Sequence, residues 1–166
     1  TIEMMLARID KAMILDELGE HGRAEEAISI AIMMHPDNMK QLLLHDTHLY
    51  ELHDKENLTF DEMSILEQKE WSLEEEMYQW GTHLVEHNHL RLALRVFQYI
   101  HPFSQDTTDI DAHIAYILWK TGDEDKIAPA VEKALDGKSD ILFKLFGIPY
   151  NANLTPQEFM DAITRK

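Results

Sequence analysis

The sequence predicts an all-α protein built from helical hairpins, and three observations support this prediction. A leucine, a turn residue and a further apolar residue recur at one spacing in three segments: Leu18–Gly22–Ala27, Leu84–Asn88–Ala93 and Leu118–Gly122–Ile127. The turn residues at 88 and 122 lie 34 positions apart, and those at 22 and 88 lie 66 apart, close to twice that interval. Alternating β-branched segments, which indicate strands, are almost absent. Repeats of this length are typical of stacked helical hairpins.

The helices are predicted in chain order from apolar spacing and from their end signals. A first helix is expected over 3–18 because four apolar residues share one of its faces: Met5, Ile9, Ala12 and Leu15. A second helix is expected over 24–34, ending before Pro36, and a third over 39–53.

Capping boxes mark three later helix starts, near residues 60, 73 and 156. In each, Ser or Thr is followed three positions later by Glu: Thr59–Glu62, Ser72–Glu75 and Thr155–Glu158. The remaining helices are predicted over 73–87, 89–101, 108–121, 123–136, 140–146 and 156–165. The elements pair into four hairpins, at 3–35, 39–70, 73–101 and 108–136. The turn of the second hairpin is expected near Lys55 or Glu56, halfway along the 66-residue interval.

The composition is that of an ordinary folded protein. With 166 residues, 45% of them hydrophobic and 28% charged, the chain is large enough to bury a continuous core and too apolar to be disordered. The absence of cysteine excludes a disulfide framework and thiol catalysis. It also favours a reducing compartment, so we expect a cytoplasmic location. No apolar segment approaches the roughly 20 residues that span a bilayer, so no membrane span is expected.

The chain is strongly acidic, with 31 Asp and Glu against 15 Lys and Arg and a formal net charge of −16. A nucleic-acid partner requires a positively charged surface, so nucleic-acid binding is not expected. An acidic surface favours basic or amphipathic partners through long-range attraction. A merely solvated acidic exterior explains the charge equally well.

The order of small, turn and aromatic residues resembles the tetratricopeptide repeat, a helical hairpin of 34 residues. The third hairpin supplies Gly81, Asn88, Ala93 and Phe97. The fourth supplies Ala115, Gly122 and Ala134, with Ile127 and Val131 replacing a small residue and the aromatic. The first supplies Gly22, Ala27 and Ala31, but has Leu15 where a small residue is expected. Pro36 and Pro102 follow Ala27 and Ala93 by nine residues, whereas the family pattern places proline twelve residues later, so these second helices are expected to be one turn short.

The resemblance implies a right-handed solenoid of about four antiparallel hairpins over 1–138, with a C-terminal capping helix pair over 139–166. In this family the first helices of successive hairpins line a groove that binds a peptide or a helix. By position, that groove contains eight residues: Glu75, Tyr78, Thr82, Val85, Asp109, Ala112, Tyr116 and Trp119. Tyr116 and Trp119 are either groove anchors or packing contacts with the neighbouring hairpin. For the C-terminal segment, the alternative to a capping role is a docking element for a second subunit.

The function expected from this resemblance is that of a non-catalytic interaction module or chaperone-like adaptor, which needs no cofactor. Its partner is expected to be another protein, through a peptide or amphipathic helix, and self-association into a homo-oligomer stays open. The chain is similar in length and charge to the small acidic chaperones of bacterial secretion systems. One alternative is that it is the repeat region of a larger regulatory protein.

A second alternative is a metal enzyme in a helical bundle, suggested by the ten histidines. Two pairs have helical spacing and place two imidazoles on one face: His45 with His48, and His83 with His87. Glu86 and His89 resemble half of a di-iron motif, but no second Glu-x-x-His follows. Surface or capping roles explain these histidines without a metal.

Overall fold

The computed structural model describes residues 2–34 and 56–165, and the regular structure of these residues is helical, with no strand. The predicted helix at 39–53, with His45 and His48, lies outside the described residues. The α-helices within them are α1 (Ile2–Glu17), α2 (His21–Met33), α3 (Phe60–Glu86), α4 (Leu90–Ile100), α5 (Thr108–Lys120), α6 (Ala128–Asp136), α7 (Asp140–Phe146) and α8 (Pro156–Thr164). Two 3₁₀ turns, His101–Phe103 and Glu124–Lys126, precede α5 and α6.

The chain forms two compact units, Thr1–Trp80 and Gly81–Lys166. In the first, α1 packs against α2. In the second, α5 packs against α4, α6 and α7, and α8 packs against α6. The division of the chain after residue 138 stays a prediction.

Five helices end in the same way, at a residue in the left-handed backbone conformation: Gly19, Asn88, Gly122, Lys138 and Gly147. The N–H of Asn88 donates to the carbonyl of Val85 at 3.0 Å, and the next N–H, of His89, donates to the carbonyl of Leu84 at 2.8 Å. The other four ends repeat both bonds. This paired arrangement is the Schellman motif, which satisfies the last carbonyls of a helix and turns the chain back.

The turn of the first hairpin is at Gly19, so its predicted position at Gly22 is wrong. Gly19 has a φ of +84°, and the N–H of Glu20 donates to the carbonyl of Leu15 at 2.9 Å. Gly22 lies in the first turn of α2. The segment Gly19-Glu20-His21-Gly22 contains two glycines three residues apart, and the spacing pattern selected the wrong one.

With the turn at Gly19, equivalent positions of the three hairpins carry buried residues. Seven positions before the turn lie Ala12, Gly81 and Ala115; five after it lie Ala24, Ala93 and Ile127; nine after it lie Ile28, Phe97 and Val131; twelve after it lie Ala31, Ile100 and Ala134. The first hairpin therefore has a small residue where the sequence alignment placed Leu15. Pro36 now follows the equivalent alanine, Ala24, by twelve residues, which removes that departure from the repeat pattern.

Helix α3 runs without a break over Phe60–Glu86, so the predicted helix start at Ser72–Glu75 is wrong. Its own start is confirmed: the N–H of Glu62 donates to Thr59 Oγ1 at 3.3 Å, and the N–H of Thr59 donates to Glu62 Oε1 at 3.2 Å. Positions 61–80 contain neither glycine nor proline, and their Glu, Leu, Met and Gln residues favour helix. The Ser72 capping pattern therefore lies inside a continuous helix, because no residue before it ends the helix that begins at Phe60.

Helix α6 begins at Ala128, five residues after its predicted start at 123. The 3₁₀ turn Glu124–Lys126 occupies the intervening positions. Pro129 lies in the first turn of α6, where its missing N–H removes no helical hydrogen bond. The prediction of a start at residue 123 did not take Pro129 into account, although a proline favours the first turn of a helix.

The C-terminal segment shares one core with α5 and α6. This core contains Ala112, Ala115, Ile127, Ala130, Val131, Ala134, Leu142, Phe143, Phe146, Phe159 and Ile163. The α8 start predicted from Thr155–Glu158 is confirmed as a complete capping box with Pro156 in the first turn. The apolar side chains of the tail are thus largely used in covering α5 and α6.

Candidate functional site

The predicted groove residues of α3 lie in both compact units. Glu75 and Tyr78 belong to Thr1–Trp80, and Thr82 and Val85 belong to Gly81–Lys166. Glu75 is exposed, whereas the other three are half-buried. Their role in binding stays a prediction.

The predicted groove residues of α5 differ in accessibility. Ala112 is fully buried in the core, so its side chain is not available to a ligand in this structure. The carboxylate of Asp109 accepts a hydrogen bond from Ser139 Oγ at 2.8 Å, and Ser139 is the N-cap residue of α7. Tyr116 and Trp119 are half-buried and lie near each other, with ring centroids 6.4 Å apart.

The aromatic side chains of α5 pack against Phe146 of α7. The ring centroids of Trp119 and Phe146 are 4.8 Å apart, and those of Tyr116 and Phe146 are 5.8 Å apart at an interplanar angle of 89°. The Nζ atom of Lys120 lies 5.0 Å from the Trp119 centroid, within the range of a cation–π contact. Part of each aromatic surface is therefore used in packing between helices of the same compact unit.

Trp119 also lines a cleft of about 260 Å³, together with Glu124, Ile127, Met160, Ile163 and Thr164. These residues come from the end of α5, the second 3₁₀ turn, the start of α6 and one face of α8. Ile127 and Ile163 are buried, Trp119 and Met160 are half-buried, and Glu124 and Thr164 are exposed. The cleft is therefore open and lined by both apolar and polar residues, and its exposed residues include one carboxylate.

Local sequence signals place the two sides of the cleft. Gly122, with a φ of +88°, ends α5 and directs the chain into the Glu124–Lys126 turn. On the other side, the capping box at Thr155 fixes where α8 begins. Met160, Ile163 and Thr164 then share one face of α8, because residues three and four positions apart are neighbours on a helix. Thr164 Oγ1 donates to the carbonyl of Met160 at 2.7 Å, which holds its hydroxyl.

The cleft suits an amphipathic guest. Its volume of about 260 Å³ is slightly below the roughly 300–1,000 Å³ of typical small-molecule pockets, and it suits the end of one large side chain. The Glu124 carboxylate at the rim attracts a cation, and Asp125 follows it in the chain, whereas Asp123 is paired with Lys126 at 4.0 Å. The cleft can therefore hold an apolar group next to a positive one.

Sequence reasoning identified Trp119 but missed the rest of the cleft. The amphipathic spacing of α8 and its capping box were visible, and they indicated an apolar face on this helix. Nothing in the sequence indicated that this face lies beside Glu124 and Ile127, about 35 residues earlier in the chain.

A buried polar cluster anchors the start of α5 to the preceding 3₁₀ turn. Asp111 is only 3% exposed; its Oδ1 accepts from His101 Nε2 at 3.0 Å and its Oδ2 accepts from Thr107 Oγ1 at 2.8 Å. Both carboxylate oxygens are thus hydrogen-bonded, as burial of a charged group requires. The cluster has a structural role, and the sequence reasoning did not predict it.

Three titratable groups of this compact unit have shifted pKa values. Burial lowers the pKa of His113, and the Asp109 carbonyl, which accepts from His113 Nδ1 at 2.8 Å, opposes that effect. The hydroxyl and N–H of Thr108 donate to the Asp106 carboxylate and lower its pKa. Burial raises the pKa of Tyr99. None of these groups lines the cleft.

The predicted histidine pair of α3 is brought together by the structure. The rings of His83 and His87 have centroids 4.4 Å apart, and both side chains are exposed. His89 is the N-cap residue of α4, so it does not continue the helical spacing of Glu86. Within residues 2–34 and 56–165, no group of three or more His, Asp or Glu residues is arranged to hold a metal ion.

Comparison of the chain with protein-family models, with curated proteins and with solved structures finds no match. Among the helices of the described residues, none has the length and apolar character needed to cross a lipid bilayer.

Proposed function

We propose that the chain is a non-catalytic, tetratricopeptide-like interaction module that binds a basic amphipathic segment of a partner protein. The Trp119 cleft is the observation that carries this proposal. In it, an apolar side chain of the partner occupies the space between Trp119, Met160 and Ile163. A lysine or arginine of the same segment pairs with Glu124 at the rim.

The chemistry of the cleft supports an anchoring role. Tryptophan is enriched among the residues that dominate binding energy, because it offers a large contact area with few torsions to fix. Trp119 is held by Phe146 at a centroid distance of 4.8 Å, so little conformational entropy is lost when a ligand covers its remaining surface. Met160 is an adaptable neighbour, since its unbranched thioether accommodates different apolar shapes.

The charge of the chain supports a basic partner. A formal net charge of −16 attracts a cationic segment over long range and increases its rate of association. At the cleft itself, Glu124 is exposed and available to a cation of the partner.

The corrected register supports the tetratricopeptide-like arrangement. In the first hairpin, Ala12, Gly19, Ala24, Ala31 and Pro36 occupy the positions that this repeat reserves for small residues, turn glycine and proline. The unbroken 27-residue helix α3 departs from the repeat, whose hairpin helices are shorter. A right-handed solenoid remains part of the proposal.

Model peptides test the proposed partner chemistry. We would measure, by fluorescence anisotropy, the binding of two labelled 18-residue amphipathic helices with the same apolar face, one with lysine and one with glutamate on the polar face. The lysine peptide should bind, with an affinity that falls as salt is added, and the glutamate peptide should not bind. Equal affinity for the two peptides would contradict the proposal.

Charge reversal at the rim tests the location of the site. Glu124→Lys should weaken binding of the lysine peptide roughly fivefold, because a single exposed ion pair contributes up to about 1 kcal/mol. Glu132→Lys is the matched control: it makes the same charge change at an exposed position of α6 outside the cleft. If both variants lose the same affinity, attraction is general and the cleft is not the site.

Truncation of the Met160 side chain tests whether the cleft binds an apolar side chain of the partner. Met160→Ala should weaken peptide binding several-fold, whereas Met13→Ala, at a half-buried position of α1, should leave it unchanged. Thermal melts of both variants show whether the fold is retained. Unchanged binding by a folded Met160→Ala variant would exclude the cleft as the anchor site.

A further inference from the structure

Two imidazoles lie side by side at the C-terminal end of α3, with His83 in its last turn and His87 immediately after it. His83 and His87 are four residues apart, and their ring centroids are separated by 4.4 Å at an interplanar angle of 64°. Both side chains are exposed. The Schellman turn at Asn88, with a φ of +64°, fixes the backbone immediately after the pair.

This spacing suits the chelation of one metal ion. Imidazole nitrogens bind zinc at about 2.0–2.1 Å, so two of them on one tetrahedral ion lie roughly 3.3 Å apart. Residues at i and i+4 are neighbours on a helix surface, and the 4.4 Å between the ring centroids of His83 and His87 places the two imidazoles close enough for one ion to bind both.

The surrounding electrostatics also favour a cation. The pair lies at the C-terminal end of a 27-residue helix, where the helix dipole is negative and stabilises positive charge. Glu86 is exposed and adjacent in the chain, and it adds negative charge without displacing either imidazole.

We propose that His83 and His87 form a two-imidazole binding site for a borderline divalent transition metal such as Zn²⁺. Imidazole selects zinc, nickel and copper over magnesium and calcium, which prefer oxygen ligands. Because these two residues supply two protein ligands, water completes the coordination shell. The site is independent of the Trp119 cleft and of the proposed peptide binding.

Calorimetric titration of the untagged protein with ZnCl₂, and with MgCl₂ as the hard-cation control, tests this site. Wild type should bind Zn²⁺ and give no Mg²⁺ signal. His87→Gln should lower the Zn²⁺ affinity of this site at least tenfold, because one of two chelating ligands is lost. Zn²⁺ should raise the melting temperature of wild type more than that of the variant, since the ion binds the folded helix.

A relocation variant separates chelation from the general affinity of histidines for zinc. Gln79→His combined with His83→Gln keeps ten histidines but separates the two imidazoles by eight positions, at 79 and 87, instead of the four that place them side by side on a helix. This variant should lose affinity as His87→Gln does, with circular dichroism confirming its helix content. Wild-type zinc affinity in either variant would overturn the proposal.

Discussion

The α1–α2 hairpin and the α5–α6 hairpin share an internal pattern but differ in what covers them. Both turn at a glycine in the left-handed conformation, Gly19 and Gly122. Five positions before the turn, however, Ile14 is 57% exposed and Ile117 is fully buried. The contacts within a hairpin depend on its own residues, whereas the burial of its outer face depends on its neighbours. Local sequence therefore determines the pattern within each hairpin, and tertiary packing determines how much of its outer face is buried.

The polar contacts of the two regions differ in the same way. Near the first turn, His21 pairs with Asp16 and Arg23 with Glu20, and His21 and Arg23 are largely exposed. In the second region, Asp111 is buried and accepts hydrogen bonds from two residues. Exposed pairs contribute little to stability, whereas a buried carboxylate is costly unless it is paired.

Charge is also divided unequally. Residues 1–80 contain 19 acidic and six basic residues, a formal charge of −13, whereas residues 81–166 contain 12 and nine, a charge of −3. Under the proposed function, attraction of a basic partner would therefore come mainly from residues 1–80, whereas the cleft lies in residues 81–166.

The largest effect is expected at Gly81, where the hairpin formed by α3 and α4 has a glycine facing the phenylalanine ring of Phe97. A Cβ atom at Gly81 would lie 2.6 Å from Cζ of Phe97, a fully buried ring. The equivalent positions carry Ala12 and Ile28 in the first hairpin and Ala115 and Val131 in the α5–α6 hairpin, so where alanine replaces glycine, a smaller side chain stands in place of phenylalanine. Gly81→Ala should therefore lower the free energy of unfolding by about 3 kcal/mol, measured by chemical denaturation.

A compensating substitution makes this test specific. Phe97→Ile recreates the Ala–Ile pair of the first hairpin when combined with Gly81→Ala. The double variant should be more stable than the sum of the two single effects by at least about 1 kcal/mol. Additive effects would mean that the two positions do not complement each other in volume.

The next effect in size contrasts a buried with a more exposed carboxylate. Asp111→Ala removes the acceptor of both His101 and Thr107, and it should lower the free energy of unfolding by about 2 kcal/mol. Asp16→Ala, which removes the partner of the exposed His21, should cost less than about 1 kcal/mol. Similar losses in the two variants, measured by denaturation under the same conditions, would contradict the distinction between the two regions.

Smaller changes in stability, opposite in sign at Gly19 and Gly22, test which of these two glycines forms the first turn. Gly19→Ala places a side chain at a φ of +84° and should destabilise by about 1–2 kcal/mol. Gly22→Ala, in α2 with no atom within 4 Å of the new Cβ, should stabilise by about 0.5–1 kcal/mol because alanine favours helix. Thermal melts check both expectations. A raised melting temperature for Gly19→Ala and a lowered one for Gly22→Ala would indicate that the turn is at Gly22.

The elements predicted correctly from sequence are those with complete local signals. Thr59 and Thr155 begin helices because their capping partners lie within four residues, and α7 spans 140–146 as predicted because Ser139 caps it and Gly147 ends it. The wrong predictions arose where local signals competed. Two glycines fitted the first turn, and the Ser72 capping pattern had no preceding helix end to support it.

The candidate site was less predictable because its parts are distant in sequence. Trp119 was predicted as a groove residue from the resemblance to the tetratricopeptide repeat, but Met160 and Ile163 line the same cleft only because α8 packs against α6. Asp111 gave no sequence signal either, since its partner His101 lies ten residues away across a 3₁₀ turn. Such contacts depend on the angles between helices, which hydrophobic periodicity does not encode.

The smallest and most gradual effect is expected from the pH response of the second region. His113 stacks on Phe97 with ring centroids 4.8 Å apart, and burial lowers its pKa. Below the ordinary histidine pKa of about 6.5, His113 is therefore protonated in the unfolded chain but still neutral in the folded chain. The free energy of unfolding consequently decreases as the pH falls below about 6.5. Above it, His113 is neutral in both states and contributes no pH dependence.

A neutral substitution isolates this contribution from that of the other nine histidines. Glutamine at position 113 cannot be protonated, so the difference in free energy of unfolding between wild type and His113→Gln should shrink from pH 7.5 to pH 5.5, because wild type alone is destabilised by the lowered pKa of His113. Melting temperatures of both proteins across this range measure the difference. A difference that stays constant would mean that the buried ring beside Phe97 accepts its proton as readily as it does in the unfolded chain, and that the stacked arrangement relaxes to admit water.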